Sequence, residues 1–144
     1  MEKLQDKLMQ FFADMDEVYE EYAKAKGMNY VSLVILEEIF ESGEGCTQKQ
    51  ISEATRYPKQ TVNLVVKSFI EDGYVELVED ALNRRNKQIV LTDKGRTYCN
   101  GIVLPLLEKE NSVMKDMGDE ASSELIRLLE LYSRLYCDKI NEIK

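Results

Sequence analysis

Residues 47–76, TQKQISEATRYPKQTVNLVVKSFIEDGYVE, decide how the chain folds. Thr47-Gln48-Lys49-Gln50 has the form of a capping box. The Thr47 hydroxyl can take the backbone N–H of Gln50, whose amide reaches back to the N–H of Thr47. A short helix is therefore expected over 47–54, with Ile51 and Ala54 turned inward. Pro58 suits the first turn of a second helix. There Val62, Val65, Val66, Phe69 and Ile70 make an apolar stripe at helical spacing that stops at Gly73, a natural terminator. Beyond Gly73 the period drops from about 3.6 to 2. Val75 and Leu77 alternate with Glu76 and Val78, and Ile89 and Leu91 alternate with Val90 and Thr92. Residues 80–86 join the two runs as a polar, basic loop, so the segment reads as a hairpin whose tip carries Arg84, Arg85 and Lys87.

Working outward, residues 3–26 read as a helix with Leu4, Leu8, Phe11, Met15, Val18 and Tyr22 close to a coiled-coil seam, broken by Gly27. A second amphipathic helix, 29–42, carries Leu33, Leu36, Ile39 and Phe40. Downstream, Thr92 caps a helix with Asp93 in its first turn, running to about residue 115. Pro105 is expected to strain that helix near the carbonyl of Gly101. A last helix, 119–142, holds Leu125, Leu128, Leu129, Tyr132, Leu135, Tyr136, Ile140 and Ile143. The order helix, helix, short helix, longer helix, hairpin, helix, helix predicts a mainly α chain built on a winged helix-turn-helix. We expect a single domain, 1–144, with a winged lobe over 29–100 and terminal helices over 1–26 and 105–144. The lobe needs only its own residues for a core, so the outer helices are expected to pair with a second copy through Leu4, Leu8, Phe11, Leu125, Leu129, Tyr132 and Tyr136.

Charge separates the function classes. The chain of 144 residues has a net charge of −8, which looks wrong for a nucleic-acid binder until it is divided by segment. Residues 47–67 hold four cations against one anion, and residues 83–96 hold five against one. Both basic islands lie between acidic flanks, and it is the local distribution that sets the field a partner meets. On the helix over 58–72 the apolar stripe leaves Lys59, Gln60, Thr61, Asn63 and Lys67 outward. Amides can pair with the major-groove edge of adenine, and Lys can reach guanine or phosphate. Arg84 and Arg85 at the hairpin tip suit a narrow, A·T-rich minor groove, while Lys87 and Arg56 suit phosphates. The partner so described is double-stranded DNA, read by a homodimer on an inverted repeat. The rival is a winged-helix dimer acting as a protein-interaction module, with the acidic surface at work.

Other classes fall away. The chain has no histidine, no Gly-rich phosphate loop and no nucleophile elbow, so an enzyme is not expected. Neither a cofactor nor a metal is expected, since imidazole sites are excluded and Cys46, Cys99 and Cys137 form no CxxC pair. The longest uncharged stretch, residues 97–107, falls well short of the ~20 apolar residues that span a bilayer, and residues 1–10 lack a signal-peptide core. A cytoplasmic location is expected.

The segment TQKQISEATRYPKQTVNLVVKSFIEDGYVE followed by NRRNKQIVLTDKG resembles the MarR (multiple antibiotic resistance regulator) family of bacterial transcription regulators. In that family the wing usually reads Asp-Arg-Arg and its second strand closes on Leu-Thr-x-Lys-Gly. Here these are Asn83-Arg84-Arg85 and Leu91-Thr92-Asp93-Lys94-Gly95. The helix order matches over nearly the whole chain. The resemblance implies a ligand-responsive repressor whose first and last helices build the dimer. It also implies a small aromatic or phenolic effector in a pocket, for which Tyr19, Tyr22, Tyr30, Tyr98 and Met114 are the candidates. Two positions depart from the pattern. Asn83 replaces the usual Asp, leaving Asp80 to orient a wing arginine, and Leu64 stands where many members carry a basic or polar residue, implying sparser base reading. The family's peroxide sensors carry a cysteine on the first helix; none is there, which leaves Cys99 for any redox role.

Overall fold

A computed structural model describes residues 3–79, 82 and 87–144. Its elements are α1 (Leu4–Ala25), α2 (Tyr30–Glu41), α3 (Gln48–Thr55), α4 (Lys59–Glu71), β1 (Val75–Glu79), β2 (Lys87–Leu91), α5 (Asp93–Met117) and α6 (Asp119–Asn141). The mainly α winged helix-turn-helix read from the periodicities is the fold found. The chain divides into two compact units, Met1–Leu104 and Pro105–Lys144.

In the first unit α2 is the spine. Leu33, Ile35, Leu36 and Ile39 are buried on it, and the helix packs against α3, α4 and β2, where Ile51, Val62, Val66, Phe69 and Ile89 are buried in turn; Val75 of β1 is buried too. Cys99, Ile102 and Val103 complete this core from α5, and Ala23 from α1. The local signals explain where each helix starts. The Thr47 hydroxyl accepts from the N–H of Gln50 at 3.1 Å, and the Gln50 amide oxygen accepts from the N–H of Thr47 at 2.9 Å, so the capping box is complete. Pro58 stands just outside α4, with extended ψ of 150°, and its carbonyl accepts from Val62 at 3.1 Å. It is the cap residue, one place before the first-turn position expected. Ala54 was expected inward but is exposed, since α3 is short and buries only Ile51.

The hairpin pairs antiparallel with Val75 opposite Leu91, Leu77 opposite Ile89 and Glu79 opposite Lys87. Among its described residues Val75 and Ile89 are buried, and Leu77 is 41% exposed. Cys46 adds a bridge that the sequence did not disclose. Its N–H donates to the carbonyl of Ile89 at 3.2 Å and its carbonyl accepts from Ile89 at 2.7 Å, so the segment before α3 borders the wing.

The wing is clamped to α5 at its root. The Thr92 hydroxyl donates to the carbonyl of Gly73 at 2.6 Å and accepts from the N–H of Gly95 at 3.0 Å. The N–H of Thr92 donates to the carbonyl of Tyr74 at 3.0 Å. Gly95 is buried so closely against that carbonyl that a Cβ there would overlap the oxygen. The Tyr74 and Tyr98 rings stack at 3.9 Å, nearly parallel.

In the second unit, no residue from 105 to 144 is buried. Helix α5 continues through Pro105 to Met117, so the proline expected to strain the helix does not end it. Leu125, Leu129 and Tyr132 of α6 are half-buried, while Ile126, Leu128, Leu131, Leu135 and Ile140 are open. On α1, in the first unit, Leu4, Phe11, Met15 and Val18 are exposed as well. Among the described residues no helix is long and apolar enough to cross a membrane.

Gly95→Ala is expected to lower unfolding stability by about 3 kcal/mol or more, because a backbone carbonyl cannot yield as a side chain can. Thr92→Val, which keeps shape but loses the cap, should cost about 1–2 kcal/mol. Urea unfolding followed by circular dichroism checks both. Equal midpoints for Gly95→Ala and wild type would refute the clamp.

Candidate nucleic-acid interface

The face of α4 that looks away from the spine follows from helical geometry. Val62, Val66 and Phe69 are buried, so Lys59, Gln60, Asn63, Leu64 and Lys67 are exposed, while Thr61 is half-buried at the margin. The expected outward set is therefore presented together, Thr61 only in part. No side chain caps the start of α4, so the N–H groups of Lys59, Gln60 and Thr61 make a site suited to an anion.

One contact at this face was missed in the sequence. The Gln48 amide donates to the Asn63 side-chain oxygen at 3.3 Å, linking the start of α3 to the outer face of α4. Both are amides, and a bond between residues 15 apart leaves no periodic trace. It orients Asn63 and leaves its NH₂ outward for an acceptor.

Arg56 occupies the turn between α3 and α4 in the left-handed region, with φ of 66°, and is the non-glycine residue among those described with positive φ. Its N–H donates to Ser52 at 2.9 Å, and the Ser52 hydroxyl donates to the carbonyl of Tyr57 at 2.6 Å, which holds the turn. Glycine or asparagine would sit there at lower cost. An exposed arginine in such a place fits a contact role better than a folding one. Lys87, at the start of β2, is exposed but lies opposite Glu79. Arg84 and Arg85, together with Asn83 and Asp80, lie outside the described residues.

The candidate effector residues fall into separate settings. Tyr19 and Tyr30 touch with ring centres 4.7 Å apart. The Tyr19 hydroxyl donates to Glu37 at 2.8 Å and that of Tyr30 to Asp16 at 3.0 Å. Tyr22 donates to the backbone carbonyl of Ile102 at 2.6 Å. Burial first, then the Asp16 hydrogen bond, pushes the Tyr30 phenol up to about 12, so it stays a neutral donor. Tyr98 stands apart from this trio, stacked on Tyr74. Met114 belongs to the second unit, where it lines a groove of about 410 Å³ with Ser122, Ile126 and Glu130. Of the candidate dimer residues, Leu4, Phe11 and Tyr136 are exposed, and Leu8, Leu125, Leu129 and Tyr132 half-buried. The more open residues of α6 lie one step round, at Ile126, Leu128 and Leu131.

Residues 26–86 match the sequence model of the MarR family. None of the curated proteins matches the chain in sequence. Among solved structures, a MarR family regulator from Neisseria meningitidis is 26% identical, with a TM-score of 0.82 over 99% of this chain and all of its own. CouR from Rhodococcus jostii RHA1, bound to p-coumaroyl-CoA, is 18% identical over 90% of each chain, with a TM-score of 0.73. A variant of MepR from S. aureus, bound to an oligodeoxyribonucleotide, is 18% identical over 93% of this chain and 99% of its own, with a TM-score of 0.57. The resemblance to the MarR family therefore holds, and the fold of the whole chain is that of MarR family regulators.

The cysteines take no visible part. Cys99 is fully buried, and burial raises its thiol to about 11 although Arg96 pulls it down. Cys46 is buried and raised for the same reason. A thiol held above neutrality is a poor nucleophile and a poor peroxide target, so the structure speaks against the redox role considered for Cys99. A colorimetric disulfide reagent at pH 7 should modify Cys137 alone in the native protein and all three cysteines after denaturation. Rapid native modification of Cys99, located by mass spectrometry, would contradict this.

Proposed function

We propose that this chain, which carries the MarR family pattern over residues 26–86 and the MarR fold throughout, is a sequence-specific DNA-binding transcription regulator. It acts as a homodimer on an inverted-repeat operator in the cytoplasm, as a ligand-responsive repressor and not as an enzyme. The observation that carries the reading is the outer face of α4. Lys59, Gln60, Asn63 and Lys67 are exposed side by side in a chain whose net charge is −8. A solvated helix face in so acidic a protein has no need to gather cations, amides and an uncapped helix start in one place. The acidic flanks around the basic islands repel a phosphate backbone, which orients the encounter. Arg84 and Arg85 at the wing are assigned to the minor groove, and Arg56 and Lys87 to phosphates.

The dimer reading rests on the exposed apolar residues of α1 and α6. Leu4, Phe11, Met15 and Val18, with Ile126, Leu128, Leu131 and Leu135, are more than single scattered residues. A second copy that covers both stripes would set two α4 helices on the same face of a duplex, about one helical turn apart. An aromatic or phenolic effector is assigned to the trio Tyr19, Tyr22 and Tyr30. Two of its three hydroxyls join α1 and α2 and the third joins α1 to α5, so a ligand there would act on the lobe's own packing.

Binding of an operator fragment, selected from random-sequence duplexes, should weaken steeply with salt. The slope of log Kd on log salt should fall by about 0.9 for Lys67→Ala. Arg85→Ala should cost about 1–3 kcal/mol, most on sites with an A·T-rich flank. Affinity independent of salt would leave the protein-interaction module as the better reading.

Phe11→Glu combined with Leu128→Glu should convert a dimer into a monomer in sedimentation at micromolar concentration. Both residues are exposed, so the helical circular dichroism should be unchanged. A wild type that already sediments as a monomer would refute the dimer.

A further inference from the structure

Leu64 is 69% exposed in the middle of α4. From Val62, in the buried row, two steps of about 100° carry the chain to Leu64, so its side chain crowns the outer face opposite the core. Gln60 stands one turn before it and Lys67 one turn after, both exposed. Asn63 is its neighbour, held by Gln48 at 3.3 Å. A leucine at the crown contributes nothing to the fold's core and gives water an apolar surface among cations and amides. Ile70, also exposed, differs because it lies beside Phe69 at the edge of the buried row.

We infer that Leu64 is a specificity-determining residue that reads the 5-methyl group of thymine in the major groove. The inference rests on the DNA-binding reading of α4 and adds to it the base that the crown selects. The charge around Leu64 identifies the partner. Lys59 and Lys67, with the uncapped start of α4, suit a polyanion, so the apolar crown must meet the one apolar group a duplex shows on its major-groove edge. A leucine neither donates nor accepts. Against guanine, adenine or cytosine it would strip water from hydrogen-bonding atoms and return nothing. Against thymine it covers a methyl group. The departure at Leu64 thus changes what is read: a polar contact is exchanged for an apolar one.

Replacing single thymines by uracil in a selected operator removes only the methyl group and keeps all pairing edges. With the full-length wild type, we expect at least one thymine in each half-site whose replacement weakens binding about four-fold, the value of withdrawing one methyl group from water. Leu64→Ala should bind the thymine operator several-fold more weakly and show no penalty for the same uracil. Leu64→Met, which keeps an apolar reach, should retain the penalty. Because Leu64 is exposed, the stability of both variants should match that of the wild type, as checked by urea unfolding. Uracil that is neutral at every position, or an equal uracil penalty in wild type and Leu64→Ala, would overturn the inference while salt-dependent operator binding left the DNA reading standing. Failure to select any preferred sequence would overturn both.

Discussion

The approach of Gly95 to the carbonyl of Tyr74 is the constraint on which the placement of α4 and the wing depends. Only a residue without a Cβ lets the first turn of α5 lie on the backbone where α4 ends and β1 begins. Thr92 exploits that closeness, donating to Gly73 and accepting from Gly95 with one hydroxyl. Lys94 spans the same junction, with its ammonium donating to the carbonyl of Asp72 at 2.8 Å and lying 5.2 Å from the centre of the Tyr74 ring. Each such contact is worth only about 1 kcal/mol. Together they join the last turn of α4, both roots of the wing and the start of α5 within a few residues. Helix α4 and the wing therefore cannot be re-aimed separately.

That rigidity gives meaning to the charge pattern. Across solvent, charges farther apart than about 8 Å are largely screened at physiological salt. The acidic flanks of the chain therefore do little to cancel a cation that touches phosphate. Position on the surface then decides the weight of each basic residue. Lys59 and Lys67 lie on the outer face of α4, and neither has an ion pair among those found for the described residues. Lys87 sits across the hairpin from Glu79, so an opposite charge lies on the neighbouring strand. Lys49 is 4.0 Å from Glu53, an exposed pair of little energetic consequence that still dilutes its charge. The basic residues of the two islands are thus unequal in their surroundings: Lys59 and Lys67 of α4 stand clear of the ion pairs found among the described residues, while Lys49 shares its charge with Glu53.

What could be read from sequence was what the chain encodes locally. The capping box at Thr47, the cap at Thr92, the stop at Gly73 and the change of period after it each involve residues within one turn of each other. Their outcome does not depend on distant packing. Non-local pairings left no such trace. The bridge of Cys46 to Ile89, the bond from Gln48 to Asn63 and the stacking of Tyr98 on Tyr74 join residues 43, 15 and 24 positions apart. Tyr98 is grouped with the other tyrosines by residue type, and its real neighbour depends on the Gly95 approach, a distance that the motif ending in Gly95 does not disclose. Apolar periodicity on α1 and α6 told which side is apolar without telling what covers it. Burial is a property of the assembly, and a pattern in one chain marks only the demand for it.

The same limit bears on how an effector could act. Pro105 has no N–H, so the carbonyl of Gly101 lacks its usual donor one turn on, and the turn of α5 around residues 101–105 is held by fewer bonds than its neighbours. The carbonyl next to it, that of Ile102, accepts the Tyr22 hydroxyl at 2.6 Å, and the boundary between the compact units falls directly after, at Leu104–Pro105. Helix α1 thus grips α5 at the turn where α5 is least able to hold itself. A ligand among Tyr19, Tyr22 and Tyr30 gains leverage only if it changes that grip. To alter operator affinity tenfold it must favour one arrangement of the tyrosines over another by about 1.4 kcal/mol, the scale of one or two such hydrogen bonds. Tight binding that leaves Tyr22 on Ile102 in both arrangements would shift nothing. For any ligand bound among these tyrosines, the leverage on α5 would lie in what becomes of this single hydroxyl, whatever the affinity.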